Sequence, residues 1–355
     1  MSGKSSVGGR AAVPPCLGCD GGCSGFQPHP WRKSCTACGC STADHAPTGS
    51  DPEDDQRMGR LLADSPSAHL TAKVKGAGGL RVYKRNRVTV TNPLATGKDP
   101  DFDTLTYDWA PAGKLAVQYM ELLPEDQRPV AGSHAALRRR RQLLRQLPFY
   151  DQDPMKCRSL ASEQEISSML LFVQRYKREV LGVGEVALPG EASALLEAAA
   201  QRTAKETAKE TAKNTKDGRK DRGGRKDTAQ HQDQDQDISS LEPSAGAPNG
   251  TEDQTQHLCS GCHGEVAMET PAVFAERAGY HGYRWHPACF VCAACGDFLV
   301  DLVYFWSDHK LLCGRHFCQS VQPRCCGCDE LIFCEDFVTA ADGRTFHEQH
   351  DPGQQ

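Results

Sequence analysis

The chain has 355 residues, a formal net charge of −5 at pH 7 and a sequence pI of about 6.2. That balance excludes a protein that is basic over its whole surface, as a global nucleic-acid binder would be, and leaves room only for local basic runs. Hydrophobic residues make up 38% and mean hydropathy is −0.56, so part of the chain is expected to stay unfolded.

The first ten residues, Met1 to Arg10, contain no apolar core of a secretory signal, and no stretch approaches the ~18 apolar residues of a membrane helix. The expected setting is therefore the reducing cytosol or nucleus, where clustered cysteines bind metal more often than they pair. The 18 cysteines agree with this: six lie between 16 and 40, eleven between 259 and 334, and Cys157 stands apart.

In chain order, residues 16–45 come first. Cys16-x2-Cys19, fifteen residues, then Cys35-x2-Cys38 is a zinc-compatible spacing, and Cys23, His29, Cys40 and His45 supply a second set. One or two structural zinc ions are expected here; the competing reading is a group of thiols that orders only with a partner.

Residues 55–190 read as a folded segment. Val82-Tyr83 and Val88 to Val90 suggest short strands. Helices are predicted over about 113–123, 133–147 and 163–181, the first two ending before Pro124 and Pro148. The third opens on the capping box Ser162-Glu-Gln-Glu165, places Ile166, Met169, Leu170 and Val173 on one face, and has Gly182 as its expected stop. Arg138 to Arg141, with Arg145, could form a nuclear localisation or acidic-partner site; the favoured reading is a solvated helix face with Leu137, Leu144 and Leu147 turned inward. Trp109 is expected in the core. Residues 191–256, with Thr203-Ala-Lys-Glu and Gln232-Asp-Gln-Asp near-repeats, lack the apolar side chains to offset ordering and read as a disordered linker.

The strongest pattern follows. Cys259-x2-Cys262, 23 residues and His286-x2-Cys289 form one four-donor set. After two residues, Cys292-x2-Cys295, 17 residues and Cys313-x2-His316 form the next. Zinc takes four nitrogen or sulfur donors in a tetrahedron, and a two-residue gap lets one tight turn supply two. The two-residue spacer Phe290-Val291 between sets resembles that of a LIM domain, which carries two sequential zinc sites; the Cys-x-His of a cross-braced RING is missing. A module of 58 residues buries little apolar surface, so metal must contribute much of its folding free energy. Cys318 competes with His316 as the eighth donor, and the spacing favours His316. After Pro323 the pattern restarts with Cys325-x2-Cys328, 18 residues and His347-x2-His350, the first half of a second LIM; a fragment and an alternatively terminated chain are both open. Cys326 and Cys334 fit no donor position.

Residues 16–45 together with YKRNRVTVTNP, YDWAP at Tyr107 to Pro111, QYMELLP, LPFYDQDP and VQRYKREVLGVGEVALPG resemble the PET-LIM proteins over nearly everything outside the linker. The resemblance implies a multidomain architecture: an N-terminal cysteine-rich zinc-binding segment at 16–45, a mainly helical PET domain at 80–190, a linker at 191–256, a first LIM at 257–318 and an incomplete second at 323–350. The LIM parts would be small β-hairpin-rich zinc fingers, with two zinc ions in the first and one in the half-module. It also implies surfaces that hold other proteins and no catalysis. Within the family, ATGKDPDFDTLTYDWAP, LPFYDQDP and VALPG look nearest the LIM and cysteine-rich domains proteins, which implies a co-regulator restraining GATA-type zinc-finger activators in nucleus and cytoplasm. AERAGY and WHPACFVC look equally like the testins, which implies an adaptor at actin-rich adhesions. Direct nucleic-acid binding is disfavoured because 259–316 is not strongly basic and has no Arg- and Lys-rich recognition helix. A thiol or metalloenzyme is disfavoured for want of an activated cysteine beside a free base, or an open metal position. The PET and LIM ends are expected to bind separate partners, or each other, across the linker.

Overall fold

The structure, a computed structural model, describes residues 16–45, 51–75, 80–94, 101–201 and 258–353 apart from scattered positions within these ranges. Most of the expected linker, with its Thr-Ala-Lys-Glu and Gln-Asp runs, lies outside the described residues. No helix among the described residues is long and apolar enough to cross a membrane.

Helix α1, Asp51–Leu62, buries the apolar Met58, Leu61 and Leu62 beside the charged Asp54 and Arg57, and a segment so polar gives little apolar periodicity to read. It packs on the hairpin of β1, Thr71–Lys73, and β2, Arg81–Tyr83. Contact is close enough to need a glycine: a Cβ on Gly59 would stand 2.4 Å from the Arg81 carbonyl oxygen. Strands β3, Val88–Leu94, and β4, Asp101–Tyr107, form an antiparallel ribbon with Val88 opposite Tyr107. Trp109 follows it into the core, 6% exposed, with its indole N–H donating to the Tyr83 hydroxyl at 3.3 Å. The helices α2, Ala116–Leu122, α3, His134–Gln146, and α4, Glu163–Glu179, fall within the predicted ranges.

Two of those helices bury only part of the expected faces. On α4 the Ser162–Glu165 capping box forms, but the inward stripe is Met169, Val173 and Tyr176, while Ile166 and Leu170 are exposed. Tyr176, the largest of the three, sets the rotation, because it enters an aromatic cluster that belongs to distant sequence: Phe305 at 5.4 Å and Phe317 at 6.2 Å between ring centroids. On α3 the buried face carries Ala135, Ala136, Arg139, Leu143 and Gln146, with Leu147 buried beyond its end; Leu137 is exposed and Leu144 only half-buried. The arginine run is therefore only partly a solvated face: Arg138 and Arg145 are exposed and Arg139 is buried, yet each of its members meets an aspartate. Arg138 reaches Asp126 at 2.6 Å, Arg139 reaches Asp301, Arg140 reaches Asp54 at 3.0 Å, and Arg141 and Arg145 both reach Asp44. Gln146 adds two bonds to the loop after Cys295, donating to the Phe298 carbonyl at 2.6 Å and accepting from the Val300 N–H at 3.0 Å.

The helix α4 ends at Glu179 and the chain turns at once into β5, Leu181–Val183, so Gly182 is a strand residue and not the helix stop. Its missing side chain has a tertiary cause: a Cβ there would meet the Tyr304 ring at 2.4 Å. Strand β5 pairs antiparallel with β9, Val303–Ser307, placing Gly182 opposite Tyr304, and β9 pairs in turn with β10, Lys310–Leu312. Next, β6, Glu185–Ala187, pairs with β7, Ala272–Phe274, which pairs with β8, Arg284–Trp285. The two short strands after α4 thus extend both small sheets of 259–316, and of the two arrangements expected for the ends of the chain, the structure shows them bound to each other. One apolar cluster runs from Met58 through Tyr176 to Phe317.

Candidate metal centres

Four turns repeat one hydrogen-bond pattern. The Cys259 N–H donates to the Gly264 carbonyl and the His263 N–H returns to the Cys259 carbonyl, both at 2.8 Å. Cys292, Gly296 and Asp297 repeat it at 2.9 and 2.8 Å, as do Cys325, Asp329 and Glu330. Cys35, Gly39 and Cys40 repeat it a fourth time, both bonds at 2.8 Å. In each the fifth residue is left-handed, with φ of 58° at His263, 73° at Gly296, 66° at Asp329 and 74° at Gly39. The turn folds back on its first cysteine, bringing the sulfur three residues later towards the same point.

Three donor sets then close as the spacing predicts. Cys259, Cys262, His286 and Cys289 have their ligand atoms within 4.8 Å of one another; so do Cys292, Cys295, Cys313 and His316, and so do Cys325, Cys328, His347 and His350. The histidines turn Nδ1 inward: His286 to Cys262 at 3.4 Å, His316 to Cys313 at 3.1 Å, His347 to Cys328 at 3.4 Å and His350 to Cys325 at 3.6 Å. The outer Nε2 of His286 faces the Glu265 carbonyl at 3.0 Å, which fixes that ring with Nδ1 free to ligate. Backbone N–H groups of Gly261 and His286 point at the Cys259 sulfur, and that of His347 at the Cys325 sulfur, all at 3.4 Å. These donor sets fit zinc: soft sulfur and imidazole nitrogen, four at a time, with the residual sulfur charge met by amides. Without a cation the crowded thiols cannot all ionise: the hydrogen bond from Cys313 holds Cys292 down to about 4, while Cys313 is itself pushed up. A dication is what lets both sulfurs carry charge.

The N-terminal segment regroups the expected pairs. Cys16, Cys23, Cys38 and His45 come within 4.8 Å, joining members of the two predicted sets, because Pro28 bridges to Cys35 and Ser34 to Ser41 and the chain from 16 to 23 meets the 38–45 end. Cys19, Cys35 and Cys40 adjoin that group. His29 does not enter it; its Nδ1 accepts from the backbone N–H groups of Trp31 and Arg32, a local turn cap. None of the eighteen cysteines is paired in a disulfide. Cys318 is buried behind Tyr176 and Cys157 donates to the Tyr150 carbonyl at 3.1 Å, while Cys326 is exposed and Cys334 donates to the Asp336 carbonyl.

Spacing carried no signal for how these centres are held against the helical region. Arg324 forks onto Asp151 at 3.1 and 2.6 Å, both buried. Glu330 accepts from the N–H groups of Arg158 and Ser159, from the Ser159 hydroxyl and from Lys33. Trp31 stacks on the His350 imidazole, 5.0 Å between centroids and 10° from parallel.

Comparison with known proteins follows the same division. A PET domain model matches residues 88–187 and a LIM domain model matches 259–321. LIM and cysteine-rich domains protein 1 of Bos taurus is 50% identical over 339 residues, 95% of this chain and 84% of that protein. The Homo sapiens protein is 49% identical over 342 residues, with 94% and 84% covered. Testin of Xenopus laevis is 42% identical over 339 residues, covering 95% of this chain and 72% of testin. No solved structure matches. With half its residues shared along almost its whole length with the first of these relatives, and with both PET and LIM models matching it, the chain belongs to the PET-LIM family that includes LIM and cysteine-rich domains protein 1 and testin.

Proposed function

We propose that this protein is a non-enzymatic, zinc-built interaction scaffold that acts as a transcriptional co-regulator, restraining GATA-type activators through protein contacts in cytoplasm and nucleus. The observation that carries the scaffold reading is the closure of the three donor sets between 259 and 350. Each supplies four protein ligands, so none keeps the open position that a zinc-activated water needs. The co-regulator branch is supported by identity of 50% to LIM and cysteine-rich domains protein 1 against 42% to testin. The arginine run at 138–141 gives no support to direct DNA binding, since each of its members is paired with an aspartate of the same chain.

The test is calorimetric titration of the zinc-loaded full chain with a purified GATA-type zinc-finger domain, with duplex DNA alone as the second titrant. Saturable binding to the finger domain without DNA is expected. Absence of that binding, with co-sedimentation on actin-rich adhesion fractions instead, would replace the co-regulator reading by a testin-like adaptor. Salt-dependent binding to the duplex alone would replace both by a DNA binder.

A further inference from the structure

The N-terminal cluster poses a counting problem. The turn at Cys35, Gly39 and Cys40 is the same metal-binding turn that elsewhere sets its first cysteine and the one three residues later on one ion, which makes Cys35 and Cys38 partners. Yet the Cys38 sulfur is also 3.3 Å from His45 Nε2, which in turn is 3.3 Å from the Cys23 sulfur. Cys38 therefore belongs to two groups. Its sulfur adjoins those of Cys23, Cys35 and Cys40, and also that of Cys19. Cys16 closes the ring by touching both Cys19 and Cys40. Seven donors gather here, one short of two separate tetrahedra and three too many for one.

We propose that residues 16–45 hold a binuclear zinc cluster in which the Cys38 thiolate bridges both ions. One ion takes Cys16, Cys23, Cys38 and His45, whose ligand atoms lie within 4.8 Å of one another; the other takes the adjoining Cys19, Cys35 and Cys40 together with Cys38. Seven donors fill eight positions because one sulfur, with more than one lone pair, serves twice. The Gly18 backbone closes over the cluster: a Cβ added there would stand 3.0 Å from the Cys40 sulfur. Outer contacts suit a ligand set of high negative charge. The Gly18 and Gln27 N–H groups point at the sulfurs of Cys16 and Cys35 at 3.4 Å, and His45 holds its Nδ1 at 2.9 Å from the Ser41 carbonyl, leaving Nε2 for the metal. The cluster is independent of the partner-binding reading above, and its zinc is counted separately from that of the three sets between 259 and 350.

The experiment is native mass spectrometry of the zinc-loaded full chain and its Cys38→Ala and Cys40→Ala variants. The three later sets serve as an internal reference, because none of their twelve ligands lies in the N-terminal segment. Five ions are expected in the parent chain: three in the later sets and two here. Cadmium-113 replacement should show two resonances, mutually coupled through the shared sulfur, that vanish in Cys38→Ala. That variant should hold three ions and Cys40→Ala no fewer than three. A parent chain with four ions, or a Cys38→Ala variant that loses only one, would overturn the bridge and leave a mononuclear site.

Discussion

Arg139 on α3 and Asp301 in the first LIM module form a buried two-point ion pair: Nε to Oδ1 at 2.7 Å and Nη2 to Oδ2 at 2.5 Å, with the Asp301 side chain wholly inaccessible. The two residues are 162 positions apart. Asp301 also holds a left-handed backbone, φ 51°, a conformation that costs energy for a residue with a side chain. A buried pair of this kind contributes modestly while intact, but losing one partner strands a charge in the interior.

Arg139→Met should therefore destabilise the folded protein by about 3–5 kcal/mol. The double variant Arg139→Met with Asp301→Asn, which removes both charges, should recover more than half of that loss. Urea unfolding of both variants checks it; a double variant no better than the single would show that packing, not the unpaired carboxylate, dominates.

Gly182→Ala should cost about 1–3 kcal/mol through overpacking against Tyr304, whose hydroxyl also accepts the Arg277 N–H at 2.9 Å. The damage should fall on the β5–β9 seam between the PET and LIM segments. Thermal unfolding would show it, and an unchanged midpoint would mean that the two strands do not meet in solution.

Stripping zinc should loosen the helical region as well as the zinc modules. Phe172 and Tyr176 of α4 are covered by Phe305 and Phe317, which the metal-dependent module supplies. Amide exchange across Glu163–Glu179 is expected to rise on adding a chelator; protection that stays constant would show a PET domain that stands alone.

Cys318→Ala should leave the zinc count intact and cost about 1 kcal/mol of packing, whereas His316→Ala should lose one ion. The reason is direction: His316 faces the sulfurs of Cys292 and Cys313, while Cys318 is buried on the aromatic side of the last helix, α5, Gly314–Val321. Zinc stoichiometry separates the two outcomes, and loss of an ion in the cysteine variant would reverse the assignment.

Glu330→Ala should undock residues 323–350, because the N–H groups of Arg158 and Ser159 would lose their acceptor at about 1–3 kcal/mol each. Limited proteolysis is expected to cut that segment faster while 259–316 stays resistant. Equal protection in both forms would rule out Glu330 as the anchor.

The sequence by itself determined whatever depends on short spacing. A two-residue gap between donors constrains a turn so tightly that Cys259, Cys262, His286 and Cys289 could be grouped without any fold, and so could the next two sets. Ser162 and Glu165 marked a helix start for the same reason, since a cap is a contact between neighbours. Only the tertiary structure decided matters that depend on what arrives from far along the chain. It turned Arg139 inward to meet Asp301, placed Gly182 in a strand under Tyr304, and rotated α4 so that Tyr176 rather than Leu170 is buried. It also regrouped the N-terminal thiols around Cys38, where several donors at similar spacings left the pairing open. Local geometry is limited by a few backbone angles, whereas the burial of an arginine or the absence of a Cβ is set by a partner whose position no spacing encodes.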